Sequence, residues 1–189
     1  SEANRITART FKALALIEMQ KGDFDKASRL IDKSGKILLE LFPSGVHIEH
    51  AEVLMVKGEI IYKYGNYLAS EKVFNQALSN ISNVIKEPTK NFLYCQCLVW
   101  KARIAYRLGK YSEAKELLLQ IYAYIIHIFP DKVHVSHALV SHFLGDVFWA
   151  LGNYKQAEVY IEHAIDCYKK SYGDTDHTSL IDAWISLGK

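Results

Sequence analysis

Gly109-Lys-Tyr-Ser-Glu-Ala114 and Gly152-Asn-Tyr-Lys-Gln-Ala157 share one pattern: a glycine, an aromatic residue two places on, and a small residue five places on. The same pattern stands at Gly22-Asp-Phe-Asp-Lys-Ala27 and Gly65-Asn-Tyr-Leu-Ala-Ser70, and the four glycines lie 43, 44 and 43 residues apart. A fixed period of this length is the mark of a repeat architecture, in which no unit buries its apolar face alone. Apolar residues recur at helical spacing on both sides of each glycine. Val140, Leu144, Val147 and Leu151 precede Gly152, and Tyr154, Ala157, Ile161, Ala164, Ile165 and Tyr168 follow it. Each unit is therefore expected to be a helix, a tight glycine turn and a second helix.

Residue size predicts how the two helices meet. Seven residues before the glycines stand Ala15, Gly58, Ala102 and Gly145, and five after them Ala27, Ser70, Ala114 and Ala157. Small side chains at all eight places remove volume where two helix backbones cross closely. Phe24, Tyr67, Tyr111 and Tyr154, two past the glycine, and Ile31, Phe74, Leu118 and Ile161, nine past it, are expected to fill the seam around that crossing.

A double-length echo sets the linkers. Leu41-Phe-Pro-Ser-Gly-Val-His-Ile-Glu-His-Ala51 is answered 87 residues later by Ile128-Phe-Pro-Asp-Lys-Val-His-Val-Ser-His-Ala138. Phe42-Pro43 and Phe129-Pro130 should end the preceding helices, because the residue before proline is pushed out of the helical region. Lys86-Glu-Pro88-Thr-Lys90 does the same between the second and third units. The reading is all-α: one domain over residues 1–189, with repeats at about 5–41, 47–86, 90–129 and 134–172 and a final helix over 178–189. Such pairs are expected to stack into a right-handed α-solenoid. The sequence opens at Ser1 and stops as a fifth unit begins, and we read it as a fragment of a longer protein.

Leu144-Gly145, Gly152-x-Tyr154-x-x-Ala157 and Ala164-Ile165 resemble the tetratricopeptide repeat, and Trp184-x-x-Leu187-Gly188 resembles the opening of another copy. The resemblance covers nearly the whole chain. Its period exceeds the family's usual one, and eighteen residues before the glycine stand His47 and His134, with Asp176-His177 at the equivalent place in the last copy. The long-period repeats of kinesin light chain are similar, carrying an acidic-His-Pro element there; this chain lacks the proline.

Composition narrows the function. Lys and Arg number 23 against 21 Asp and Glu, giving a net charge of +2. That is far from the basic excess phosphate binding requires, so nucleic acid and membrane surfaces are disfavoured as partners. Every apolar run falls short of a bilayer span. Cys95, Cys97 and Cys167 make an odd number, two of them a single residue apart, which points to a reducing, intracellular and cytoplasmic setting.

Little in the chain reads as chemistry. His47/His50 and His134/His137 each put two imidazoles one helical turn apart, but no third ligand recurs, so helix-start capping is favoured over metal. Cys95-x-Cys97 on a helix points its thiols to different faces. Neither a nucleophile elbow nor a phosphate-cradling glycine loop is present. We read the protein as non-catalytic, without cofactor or metal.

The tetratricopeptide resemblance implies that the first helix of each pair lines a concave face. By offset from each glycine the lining is Arg9, Lys12, Leu16 and Met19; Glu52, Met55, Glu59, Tyr62 and Lys63; Gln96, Val99, Arg103, Tyr106 and Arg107; then Leu139, His142, Asp146 and Trp149. The resemblance also sets limits. Asparagines that would hold an extended peptide in kinesin light chain are replaced by Lys12-Ala13, Met55-Val56, Val99-Trp100 and His142-Phe143. The expected function is a protein–protein interaction scaffold that binds a peptide or helix of a partner protein in the groove. Met55, Tyr62, Val99, Tyr106 and Trp149 would supply apolar burial, and Glu59, Arg103, Arg107, His142 and Asp146 polar selection. Two alternatives stand beside it. One is an assembly subunit whose repeats space and dock end to end with other copies or with neighbouring repeats of the full-length chain. The other is a peptide-responsive regulator. Lys57 and Lys101, where Leu14 and Leu144 stand in other units, either snorkel along the groove edge or meet an acidic partner.

Overall fold

The computed structural model describes residues 2–130, 134–173 and 178–188. Among these residues there are nine α-helices and no strand: α1 (Glu2–Gln20), α2 (Phe24–Leu41), α3 (Ile48–Lys63), α4 (Tyr67–Val84), α5 (Phe92–Arg107), α6 (Tyr111–Ile128), α7 (Val135–Ala150), α8 (Tyr154–Tyr172) and α9 (Thr178–Leu187). Pro88–Lys90 forms a short 3-10 turn. Consecutive helices pair as α1/α2, α3/α4, α5/α6 and α7/α8, with α9 packed on α8. The chain divides into two compact units, residues 1–88 and 89–189. In the first, α2 also packs on α3; in the second, α6 packs on α7.

The glycine turns explain the hairpins. Gly22, Gly65, Gly109 and Gly152 all adopt φ between 74 and 82°, a left-handed region that residues with a Cβ rarely enter. Gly152 N–H donates to the Trp149 carbonyl and Asn153 N–H to the Phe148 carbonyl, both at 2.9 Å, the paired bonds of a glycine helix stop. The next residue then starts the second helix. Side chains of Asp23, Asn66 and Asn153 accept from the backbone N–H groups of Lys26, Ala69 and Gln156; Lys110 makes no such bond. Stop and start thus occupy two adjacent residues, which forces the chain back on itself.

Packing within each hairpin follows the small residues. A Cβ built on Gly58 would lie 2.9 Å from the Phe74 ring, and one on Gly145 would lie 2.4 Å from Ile161 Cγ1. Ser70 Oγ donates to the Gly58 carbonyl at 2.7 Å, tying the two crossing positions together. The aromatic residues two past the glycine make their contacts inside their own hairpins: Phe24 packs against the core of the first unit, Tyr67 lies on Tyr62 (ring centroids 5.2 Å), Tyr111 on Tyr106 (5.2 Å) and Tyr154 against Trp149 (6.4 Å). These ring pairs flank the glycine turns, and Tyr154 stays 64% exposed.

The linkers use the echoed segments in a way that proline alone does not reveal. Phe42 caps α2 and stacks on His47, the N-cap of α3 (centroids 3.8 Å, 5° between planes). Phe129 stacks on His134, the N-cap of α7, in the same manner (3.7 Å, 2°). The histidines accept from Glu49 N–H and Ser136 N–H. In the first unit Gly45 turns the linker at φ 68°. Its carbonyl accepts from Asn80 Nδ2 and lies 2.8 Å from His50 Nδ1. The third member of the His series, Asp176-His177, lies outside the described residues.

Candidate functional site

In the first unit the first-helix face is a charge lattice. Arg5 Nε donates to Glu49 Oε2 at 2.9 Å, Arg9 holds the other oxygen of that carboxylate, and Lys12 pairs with Glu52. Burial would push the Glu49 carboxyl up; the hydrogen bonds of Arg5 and Arg9 outweigh it and leave it below the ordinary carboxylate value. Buried Glu18 is likewise lowered, first by Lys26 and also by Lys21. Met55 and Glu59 are half-buried on α3, and Tyr62 is clasped by Tyr67. Lys57 is consumed within the unit, its Nζ 2.7 Å from Asp32 Oδ1 of α2, so the acidic group it meets belongs to this chain.

In the second unit α5 and α7 form a more aromatic surface. The Arg103 guanidinium sits over Trp100 (4.8 Å) and near Phe143 (5.9 Å), a cation–π arrangement that fixes its direction. Tyr106 packs edge-on against Phe143 at 5.6 Å, besides its clasp with Tyr111. Its hydroxyl is held protonated, chiefly by burial and next by the Asp146 charge. Val99 is half-buried and Arg107 exposed. His142 and Asp146 are bridged by Ser186 of α9: Ser186 Oγ is 3.1 Å from His142 Nε2 and donates to Asp146 Oδ1 at 3.1 Å. Trp149 is 43% exposed beside Tyr154.

The ten expected residues thus fall into two groups. Met55, Glu59 and Tyr62 lie in the first unit; Val99, Arg103, Tyr106, Arg107, His142, Asp146 and Trp149 lie in the second. Sequence reasoning missed Trp100, Phe143 and Ser186. Trp100 and Phe143 left a readable signal, two successive large aromatics where earlier copies have Ala13 and Val56. Ser186 left none, because a serine on the last helix gains meaning only from the distance to α7.

The remaining candidates are occupied by structure. His47 and His134 are caps, and among the described residues no group of three or more His, Cys, Asp or Glu could hold a metal ion. Burial pushes the Cys95 thiol up to about 11 and Cys97 up to about 12, leaving both protonated and poorly nucleophilic at neutral pH. No helix among the described residues is long and apolar enough to cross a membrane.

Helical hairpins built on one repeated crossing define an all-α repeat solenoid. Within this class, residues 94–170 match the family model of the tetratricopeptide repeat. Solved structures carry the same fold. BtubC (BKLC) from P. vanneervenii has a TM-score of 0.80 at 17% identity over 98% of this chain and 72% of its own. A Podosopora anserina protein assigned as a kinesin light chain with nearly identical TPR-like repeats scores 0.72 at 18% identity, over 95% and 82% of the two chains. A Rap protein complexed with competence and sporulation factor scores 0.77 at 20%, over 96% of this chain and 47% of its own. A search of curated protein sequences gives no match.

Proposed function

We propose that the protein is a non-catalytic scaffold whose first-helix faces bind a peptide or helix of a partner protein. The observation carrying this reading is the Arg103–Trp100–Phe143–Tyr106 cluster. Two aromatic rings, Trp100 and Phe143, hold the guanidinium in place before any ligand arrives, and Tyr106 packs on Phe143, so little side-chain entropy remains to be lost on binding. Arginine and aromatic residues are the types that dominate binding energy at protein interfaces. Asp146 and His142, anchored by Ser186, add a carboxylate and an imidazole of fixed position. A partner segment with an acidic residue for Arg103 and Arg107, an apolar residue for Tyr106 and Val99, and a donor for Asp146 fits this surface. Trp149 would extend the contact along the second unit, and Met55, Glu59 and Tyr62 are the corresponding first-helix positions of the first. A Rap protein of the same fold is complexed with competence and sporulation factor, which supports a binding role for the fold. Three buried thiols suit a reducing cytoplasmic setting.

The test compares the wild-type chain with the double variant Arg103→Glu/Tyr106→Ala as bait in a crosslinking pull-down from native lysate. Partners captured by the wild type should be lost from the variant while helicity and melting temperature remain. Equal capture by the two places binding elsewhere on the molecule.

A further inference from the structure

Positions 87 residues apart correspond in the two units, as the echoed linkers do. At one such pair the side chains differ completely. Tyr122 of α6 stands edge-on to His137 of α7 (ring centroids 6.3 Å) and to His163 of α8 (6.2 Å), and His137 is fully buried. The counterpart of Tyr122 on α2 is Gly35. The two histidines answer to His50 of α3 and Gln76 of α4; with no ring between them, His50 is only half-buried and Gln76 is exposed. Packing does not demand this glycine. At Gly58 and Gly145 a Cβ would strike the facing side chain, whereas on Gly35 it would lie 3.5 Å from Val53 Cγ1, an ordinary contact. A glycine inside a helix is unfavourable for backbone entropy, and here it leaves open a place that a ring takes in the second unit.

In the first unit a cavity of about 400 Å³ opens on His50 and Gln76, with Leu54, Ser79, Asn80 and Asn83 as further walls. Part of the wall is set by hydrogen bonds within the chain: Asn80 Oδ1 accepts from His47 N–H, and Asn80 Nδ2 donates to the Gly45 carbonyl. His50 Nδ1 faces the same carbonyl at 2.8 Å. A carbonyl only accepts, so Nδ1 carries the proton and Nε2 of the neutral ring is an acceptor. Among the described residues lining the cavity there is no Asp, Glu, Lys or Arg. Exposed Leu39 and Val46 form an apolar rim, Leu39 reaching within 3.7 Å of where a Cβ on Gly45 would stand. Ile126, the counterpart of Leu39, is half-buried.

We propose that this cavity receives the phenol ring of a tyrosine side chain on a partner protein, in the place that Tyr122 takes within the second unit. Leu54 and the edge of His50 suit an aromatic face, and His50 Nε2 with the Gln76 and Asn83 amides suits a hydroxyl, the two ends of a tyrosine side chain. Apolar neighbours of that tyrosine in its own chain cover Leu39 and Val46, which a free phenol would leave bare. A phosphorylated tyrosine meets no cation here, so the site selects the neutral form. It shares no residue with the Arg103 surface and does not rest on that reading.

The probe is a capped synthetic tripeptide, leucine-tyrosine-leucine, titrated into the isotope-labelled 189-residue chain and followed by NMR. Saturable shifts should appear at the side-chain amides of Gln76 and Asn83. Gly35→Tyr, which supplies the ring from α2, and Gln76→Trp, which fills the cavity from an exposed position on α4, should each weaken binding at least tenfold while circular dichroism is unchanged. Gly35→Ala, which adds a Cβ and no ring, should leave it intact, and so should Arg103→Glu/Tyr106→Ala. The phosphotyrosine form of the peptide should bind at least tenfold more weakly. Absence of saturable binding, or affinity that neither filling variant lowers, overturns the proposal. So does p-cresol binding as tightly as the peptide, since a free phenol would then suffice. A dimer mass in light scattering without peptide that Gly35→Tyr reduces to a monomer overturns it too, since a tyrosine of a second copy would then fill the cavity.

Discussion

Gly145 and Ile161 meet so closely that one added methyl group at Gly145 would fall 2.4 Å from Ile161 Cγ1 and 3.2 Å from the Ala157 carbonyl. A β-branched side chain fixed in a helix cannot swing away, so the cost of the methyl falls on backbone separation. Gly145→Ala should destabilise the second unit by about 1–3 kcal/mol, and Ile161→Ala should reverse part of that loss. Urea unfolding of the two single variants and the double variant measures the coupling. Strict additivity would contradict the crossing.

Overpacking from the opposite side is expected as well. Ala114 and Ala157 are buried at the partner positions. Ala114→Leu or Ala157→Leu should lower stability by about 1–3 kcal/mol or more, read as a fall in the urea midpoint.

Lys110 is the odd member among the hairpin starts: its side chain makes no capping hydrogen bond to α6, only an ion pair with Glu113 at 3.7 Å, while Asn66 and Asn153 cap theirs. Lys110→Asn should stabilise the protein by about 0.5–1 kcal/mol, the ordinary worth of such a cap. The test is thermal melting at fixed salt, and an unchanged or lower Tm would contradict it.

Glu49 links α1 to α3, and its folded carboxyl lies below the ordinary value of 4.5. A lowered folded value means that the contribution is fully present above about pH 4.5 and is lost as pH falls through the folded value. Glu49→Gln should therefore lower Tm by about 2–4 °C near neutrality, with the gap from wild type closing in acid. A gap independent of pH would assign the loss to packing alone.

Cys95 and Cys97, raised to about 11 and about 12 by burial, should react with a thiol-specific disulfide reagent only as fast as the second unit opens. Adding urea below the midpoint should speed labelling in step with unfolding. Rapid stoichiometric labelling in native buffer would show that these thiols reach solvent.

Much of the fold was legible because its information is local. The glycine stop, the cap after it, and small residues at fixed offsets are properties of a few neighbouring positions, and four copies made them visible without an alignment. The roles of the aromatics were less legible. Tyr67 and Tyr154 recur in register, but that recurrence did not name their ring partners, Tyr62 and Trp149. The Phe42–His47 and Phe129–His134 stacks were present in the echo as spacing, without any hint that the rings would face each other.

What the sequence determined by itself was the hairpin and its crossing, since both follow from backbone preference and side-chain volume within one repeat. Only the tertiary structure decided the fate of the charges and the last helix: that Lys57 is consumed by Asp32, that Arg9 and Lys12 bind Glu49 and Glu52, and that Ser186 joins His142 to Asp146. These pairings span 25 to 44 residues. A charge or hydroxyl acquires its partner from distance in space, which helical periodicity leaves open until neighbouring helices are packed.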